Sequence, residues 1–149
     1  MKTTRRFSKA DGGQAVVEVA LVAPLLLLLM AGAIDLGRFA QFDAKLVSSA
    51  RAGAQYGSQN LVTAADTTGM VSAGQTDVQS QTGITVSASN FCKCADGTAA
   101  SCTASACSAN HRLLYVNVSA SGVFVPLFRA VFGVGATPRV RTAIMQVPQ

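Results

Sequence analysis

The feature that most constrains this chain is an uncharged apolar run from Val19 to Ile34, which contains five consecutive leucines at Leu25 to Leu29. A helix over residues 15–34 rises about 30 Å, which matches the hydrocarbon core of a bilayer. Ahead of it, four basic residues face one acid (Lys2, Arg5, Arg6 and Lys9 against Asp11). By the positive-inside tendency, the N-terminus stays in the cytoplasm and residues beyond about 35 are exported. We therefore expect a single-pass protein of the inner (cytoplasmic) membrane with a short basic head and an extracytoplasmic body.

Three kinds of sorting signal fit this run. One is an uncleaved signal anchor, and a second is a cleaved secretory signal, because Ala31-Gly32-Ala33 has the small-x-small form of such a site. The third is a class III signal of the type IV pilin kind, which the chain resembles because Gly13 ends the basic leader five residues before Glu18. This resemblance implies that a prepilin peptidase cuts between Gly13 and Gln14 and leaves Glu18 as the fifth residue of the mature chain.

Glu18 carries a charge where charge is costly. A carboxylate inside a membrane helix costs at least ~2–3 kcal/mol unless it is paired. Leader removal creates an α-amine on Gln14, and across a bundle of staggered helices that amine meets the Glu18 of another subunit, so that each charge offsets the desolvation of the other. Alternatively, the Glu18 side chain reaches the headgroups from a shallow position. The spacing leaves both interpretations open.

Pro24 lies inside the predicted membrane helix. A proline removes one backbone hydrogen bond and kinks the axis, which membrane helices tolerate. A bend that helps subunits pack and simple tolerance both remain possible readings.

The order of these motifs resembles the TadE-like family, the minor pilins or pseudopilins of tight-adherence (Flp-type) pili. The resemblance is carried by Gly13-Gln-Ala-Val-Val-Glu-Val-Ala-Leu-Val-Ala-Pro followed by leucines, by Ile34-Asp35-Leu36-Gly37-Arg38, and by Ser49-Ala50-Arg51-Ala52-Gly53-Ala54. It covers residues 13 to 57 closely and the remainder loosely. The resemblance implies a pilus-assembly role and, as partners, the prepilin peptidase, other minor pilins, the major pilin and the inner-membrane assembly platform.

The composition fits an anchored, exported protein. Half of the 149 residues are apolar, only 13% are charged, and the formal net charge is +5. Much of that charge lies in the leader, and the basic residues after Gly13 are spread thinly without an aromatic-interleaved stripe. Membrane lipid is therefore an expected partner, and nucleic acid is not.

Beyond Ile34 the run becomes amphipathic, and the helix is predicted to extend over 14–57. One arc at helical spacing is apolar. Asp35 and Asp43 lie within or beside it and are expected at a solvated edge or, alternatively, paired with Arg38 or with a neighbouring subunit. The apolar arc consists of Leu36, Phe39, Phe42, Leu46, Val47, Ala50 and Ala54. Residues 58–82 are polar and rich in small residues, and they predict a weak helix capped by Asn60 or a connector.

From residue 83 onward the period changes to two. Alternation predicts a strand at Ile84, Val86 and Ala88, a second at Leu114 to Ala120, and a last strand near residues 138–147 that carries Val140, Ile144 and Val147. Between them, residues 122–132 form an apolar patch with a short helix after Pro126. Its segment Val123 to Phe128 is expected to be buried in the domain core or, alternatively, to contact another pilin. The predicted fold is α+β: a long N-terminal transmembrane helix packed against a small antiparallel β-sheet domain over 83–149.

The loop at residues 92–107 contains all four cysteines. In an exported domain two disulfides are expected, and a Cys92–Cys94 bridge is disfavoured because so small a ring is strained. We expect Cys92 and Cys94 each to pair with one of Cys102 and Cys107, in either arrangement. The rival is a zinc site with His111 as a further ligand, whose spacing departs from the usual Cys-x2-Cys form.

Catalytic patterns are weak. His111 is the single histidine and forms no recognised constellation with a nucleophile, and no phosphate-binding glycine loop follows a strand. We expect a non-enzymatic protein without a cofactor or a bound metal. The main hypothesis is a minor pilin that acts in the assembly, initiation or regulation of a tight-adherence pilus. The alternative is a single-pass envelope protein with an extracytoplasmic disulfide-stapled or metal-binding domain.

Overall fold

A computed structural model describes residues 11–79, 83–103, 107 and 111–148. Its first element, α1 (Asp11–Gly57), is one continuous helix of 47 residues, about 70 Å long at 1.5 Å per residue. The helix was expected to begin at Gln14, and α1 begins three residues earlier. The expected leader at 1–13 lies mostly outside the described residues.

The second half of α1, residues 35–57, contributes one side of the hydrophobic core. Leu46 and Ala54 are fully buried and Ala50 nearly so, whereas Leu36, at the start of the predicted apolar arc, is 68% exposed. Two glycines on the same side allow close packing: a Cβ atom on Gly53 would lie 2.7 Å from the carbonyl oxygen of Met70, and one on Gly57 would overlap the Met70 side chain. Small residues therefore decide how closely the next helix approaches.

That next segment is more ordered than the sequence suggested. It forms α2 (Leu61–Ala65) and α3 (Thr67–Asp77). Asn60 accepts hydrogen bonds from the backbone N–H groups of Val62 and Thr63, as a helix N-cap does. The side chain of Asp66 accepts from Gly69 N at 2.8 Å and starts α3, which packs on α1 through a 2.8 Å bond from Ser49 Oγ to Gly74 O.

The sheet is antiparallel and four-stranded in the order β2-β1-β3-β4. It consists of β1 (Ile84–Cys94), β2 (Ala99–Ala100), β3 (Arg112–Phe124) and β4 (Thr137–Gln146). The central pair matches Ile84 with Gly122 and Cys94 with Arg112. One face buries Val86, Val116, Val118 and Ala120 against α1 and α3, as the alternation predicted, and the opposite face carries serines and threonines. The α+β prediction, with a long helix packed on an antiparallel sheet, is confirmed.

The predicted last strand is present as β4, and of the three apolar residues expected there Val147, just past its end, is fully buried. Val140 and Ile144 are more than half exposed, and Arg139, Arg141, Ala143 and Met145 alternate with them on the side toward α1. The reason is electrostatic, because Asp43 of α1 lies opposite the two arginines and pairs with both. Val140 and Ile144 consequently take the solvent face.

The connection from β3 to β4 contains the short helix α4 (Arg129–Phe132), in the position expected after Pro126. The patch before it is only half buried: Phe124 and Pro126 point inward, and Val123, Val125 and Leu127 are exposed. The expectation that the whole patch is buried is therefore wrong.

Candidate functional site

The first half of α1 contacts almost nothing in its own chain. Its large side chains are exposed, including Leu21 at 75% and Leu27 at 66%. Within the described chain, one helix is long and apolar enough to cross a membrane, and none of its most apolar window is buried against the rest of the protein. A helix that is apolar on all sides requires an apolar environment, which a bilayer or neighbouring helices supply.

Glu18 lies one turn after Gln14 on this bare surface. The Gln14 side-chain amide donates to Glu18 Oε1 at 3.5 Å, which is the upper limit of a hydrogen bond. The amide is a neutral donor, so it leaves the carboxylate charge uncompensated. The four-residue spacing is the signal from which this contact was predictable. The expected pairing of Glu18 with the Gln14 amine of another subunit stays a prediction.

Gly13 and Gln14, the expected processing site, lie in the first turn of α1 and are exposed. Pro24 lies within the helix. The processing site and the proline remain candidates on the grounds of their position: a cut after Gly13 leaves the exposed first half of α1 attached to the sheet domain, and Pro24 is the expected kink.

Asp35 is the residue whose role the sequence analysis missed. It is 9% exposed and accepts hydrogen bonds from Leu127 N at 2.8 Å and Phe128 N at 2.9 Å, and Arg38 Nη1 donates to it at 3.3 Å. The expected solvated edge is wrong and the alternative, a pair with Arg38, is present; in addition the carboxylate caps the backbone turn that leads into α4. No local pattern reveals this contact, since the partners are 92 and 93 residues away.

Asp43 makes the second polar tie between α1 and the sheet domain. Its Oδ2 accepts from Arg141 Nε at 3.1 Å and Nη2 at 2.8 Å, and Arg139 Nε lies 3.6 Å from Oδ1. The hydrogen bonds from Arg141 hold the pKa of this carboxyl below its ordinary value; burial opposes the shift and the charge of both arginines adds to it. Here also the expected solvated edge is wrong.

The cysteine loop is closed by two disulfides, Cys92–Cys102 and Cys94–Cys107. This is one of the two arrangements that the sequence favoured. Because the bridges start two residues apart on β1 and end on the loop beyond β2, they fasten a segment that has little core of its own. Removing such bridges from a small domain typically costs about 2–4 kcal/mol.

Several of the described residues have side chains of the kind that binds metal ions. Over the described ranges, no group of three or more His, Cys, Asp or Glu side chains is placed to hold a metal ion. The four cysteines that the zinc alternative required are all in disulfides. His111 lies exposed just before β3.

Residues 13–55 match the family model described as TadE-like protein. The resemblance drawn from the motifs between Gly13 and Ala54 is therefore confirmed over this segment, which ends just before α1 does. No curated protein and no solved structure matches the chain.

Proposed function

We propose that this chain, with its TadE-like segment at residues 13–55, is a minor pilin (pseudopilin) that takes part in assembling, initiating or regulating a tight-adherence pilus. It is first anchored in the inner membrane by residues 15–34, with its sheet domain outside the cytoplasm. After a prepilin peptidase removes the leader at Gly13, the same helix packs with other minor pilins or the major pilin on the assembly platform. The role is structural and not enzymatic.

The observation that carries this proposal is the exposure of the first half of α1, residues 13–34, which we call the bare half. Every large apolar side chain from Val16 to Met30 is exposed at 47% or more, although the second half of the same helix is packed into a domain. Burial of apolar surface stabilises by about 25 cal/mol per Å², so an uncovered segment of this size needs lipid or other helices around it. A helix that leaves lipid and enters a fibre has its apolar surface covered first by lipid and then by neighbouring helices.

Glu18 supports the pilin role over a plain anchor. Its carboxylate lies among exposed leucines and valines, and its side-chain partner within the described residues is a neutral amide at 3.5 Å. An anchor gains nothing from such a group, because the charge raises the cost of insertion. In a staggered bundle the carboxylate selects the register at which a neighbouring Gln14 amine lies beside it.

The first test is the mature N-terminus of the protein purified from its own cells, read by mass spectrometry. Gln14 as the first residue supports the pilin. Met1 indicates a plain anchor, and Ile34 indicates a cleaved secretory protein; either result contradicts the proposal.

The second test is fibre abundance in cells that carry Glu18→Ala. We expect fibre assembly to fall, because the helix loses its charge partner for the Gln14 amine. Glu18→Asp keeps the charge and should retain most of the fibres, and Val17→Ala is the matched change without charge. Normal fibres with Glu18→Ala and with Glu18→Gln would remove the role assigned to the carboxylate.

A further inference from the structure

The connection between β3 and β4 carries a second apolar surface. We call residues 123–136 the apolar loop; its single charged residue is Arg129, and it has no polar side chain besides. Six of its large side chains are exposed to between 37% and 63% of their surface: Val123, Val125, Leu127, Val131, Phe132 and Val134. The solvent face of the sheet mixes apolar residues such as Ile144 with serines and threonines, whereas the apolar loop has no uncharged polar side chain.

The position of the apolar loop along α1 is fixed by direct contacts. Asp35 holds the backbone N–H groups of Leu127 and Phe128. One turn earlier, a Cβ atom on Gly32 would lie 3.6 Å from Phe132 Cζ, so the Phe132 ring lies over the bare backbone of that glycine. A cavity of about 510 Å³ separates the two elements and is lined by Leu36, Phe39, Pro126 and Val134 among others.

These contacts set the depth of the apolar loop relative to the predicted span. Gly32 lies two residues inside the end of the segment 15–34, which is about 3 Å along the helix axis. Asp35 lies one residue beyond that end. Whatever medium surrounds the last turn of the span therefore surrounds the apolar loop as well.

We propose that the apolar loop inserts into the lipid leaflet on the side of the sheet domain, and so gives the protein a second contact with the bilayer beside its transmembrane helix. This inference rests on the proposed anchoring of residues 15–34. Lipid is the occupant that the contacts favour, because Phe132 of the loop lies against Gly32, one helical turn from the exposed Leu28 and Leu29. Arg129 suits the same location, since an arginine beside an apolar surface extends to the headgroups and attracts anionic lipid.

The experiment places the photoreactive residue benzoylphenylalanine at single positions of the full chain. The purified protein is reconstituted into vesicles of phosphatidylethanolamine and phosphatidylglycerol, irradiated, and analysed by mass spectrometry for lipid adducts. Leu127 and Val131 test the apolar loop. Leu28 reports the span, and Ile144 is the matched control, because it is an isoleucine 56% exposed on the outer face of β4. Ile144 lies seven residues along the strand from Thr137, or about 23 Å away.

We expect lipid adducts at Leu28, Leu127 and Val131, each several-fold above the yield at Ile144. Adducts at Leu28 without adducts in the loop would overturn this inference and leave the anchoring intact. Missing adducts at Leu28 would overturn the anchoring, and the present inference with it. Equal yields at Ile144 and in the loop, or adducts from the loop to a second copy of the chain in place of lipid, would also overturn it.

Discussion

Residues 13–34 and residues 35–57 belong to one helix, yet Leu27 in the first half is 66% exposed and Leu46 in the second half is fully buried. Apolar character does not explain the difference, because the first half is the more apolar of the two. The second half differs in what its small and acidic residues contact within the chain. Gly53 and Gly57 admit α3 to close range, Asp35 holds the turn at Leu127, and Asp43 holds β4.

The comparison teaches that packing within a chain depends on shape and polar ties as much as on hydrophobicity. A leucine-covered helix offers no depressions and no directional bonds, so it suits a fluid environment or an identical neighbour. A helix with glycine depressions and aspartates specifies a particular partner. The two halves of α1 are therefore suited to different surroundings, and the following experiments compare them directly.

The largest contrast is expected between two identical substitutions, Leu46→Ala and Leu27→Ala. The first removes a fully buried side chain and should lower the free energy of unfolding of the domain by about 2–5 kcal/mol. The second lies on the bare half and should change it by less than about 0.5 kcal/mol. Thermal and urea unfolding in detergent, followed by circular dichroism, measure both. Equal losses would mean that the first half also packs within its own chain.

A second pair of equal substitutions should have effects of opposite sign. Gly53→Ala places a Cβ atom 2.7 Å from Met70 O and 2.9 Å from a Val118 methyl group, and it should cost about 1–3 kcal/mol. Gly37→Ala meets nothing within 4 Å and should stabilise the helix by about 0.5–1 kcal/mol. The same unfolding measurements decide the matter. A neutral Gly53→Ala would show that α3 moves away from α1 at little cost.

The smallest effect concerns pH and the contact between Tyr56 at the end of α1 and Asp66 at the start of α3. The N–H of Gly69 and the Tyr56 hydroxyl, at 2.9 Å, hold the pKa of the Asp66 carboxyl below its ordinary value. The folded state thus favours the ionised form. Its contribution to stability is complete above the ordinary pKa and is lost as the pH falls through the lowered value.

Asp66→Asn keeps a capping side chain but removes the titration, so the loss of stability on acidification below about pH 4 should become shallower. Tyr56→Phe should reduce the same slope by less, because the Gly69 contact remains. Unfolding midpoints measured between neutral pH and about pH 2 give these slopes. An unchanged slope with Asp66→Asn would show that other carboxylates control the acid response.

Much of the fold was predictable because its signals are local. The change from helical to alternating period marks the start of the sheet domain, Asn60 caps a helix, and Val86, Val116, Val118 and Ala120 fall on the buried face. The cysteine pairing was narrowed to two arrangements by ring size alone. The family resemblance depends on the same kind of short-range pattern.

The rest depends on partners far away in the chain. Asp43 and Asp35 have the sequence surroundings of exposed acids, and only the fold brings Arg141 and the turn at Leu127 to them. The side of β4 that faces α1 follows from that pairing, and the alternation of its residues does not reveal it. The candidate site at Gly13, Gln14 and Glu18 was found from spacing, but its chemistry belongs to an assembly of several chains.

α1 is continuous from Asp11 to Gly57, so there is no flexible linker between its exposed first half and the sheet domain. Asp35 and Asp43 also fix the orientation of the helix by their hydrogen bonds to that domain. Each residue advances an α-helix by about 100° around its axis. If the residue after Glu18 took the place of Glu18 at the contact with a neighbouring helix, α1 would turn by roughly that angle about its axis, and the attached domain would turn with it. The register at which neighbouring α1 helices pack therefore also sets the direction in which each sheet domain faces outside the helix bundle.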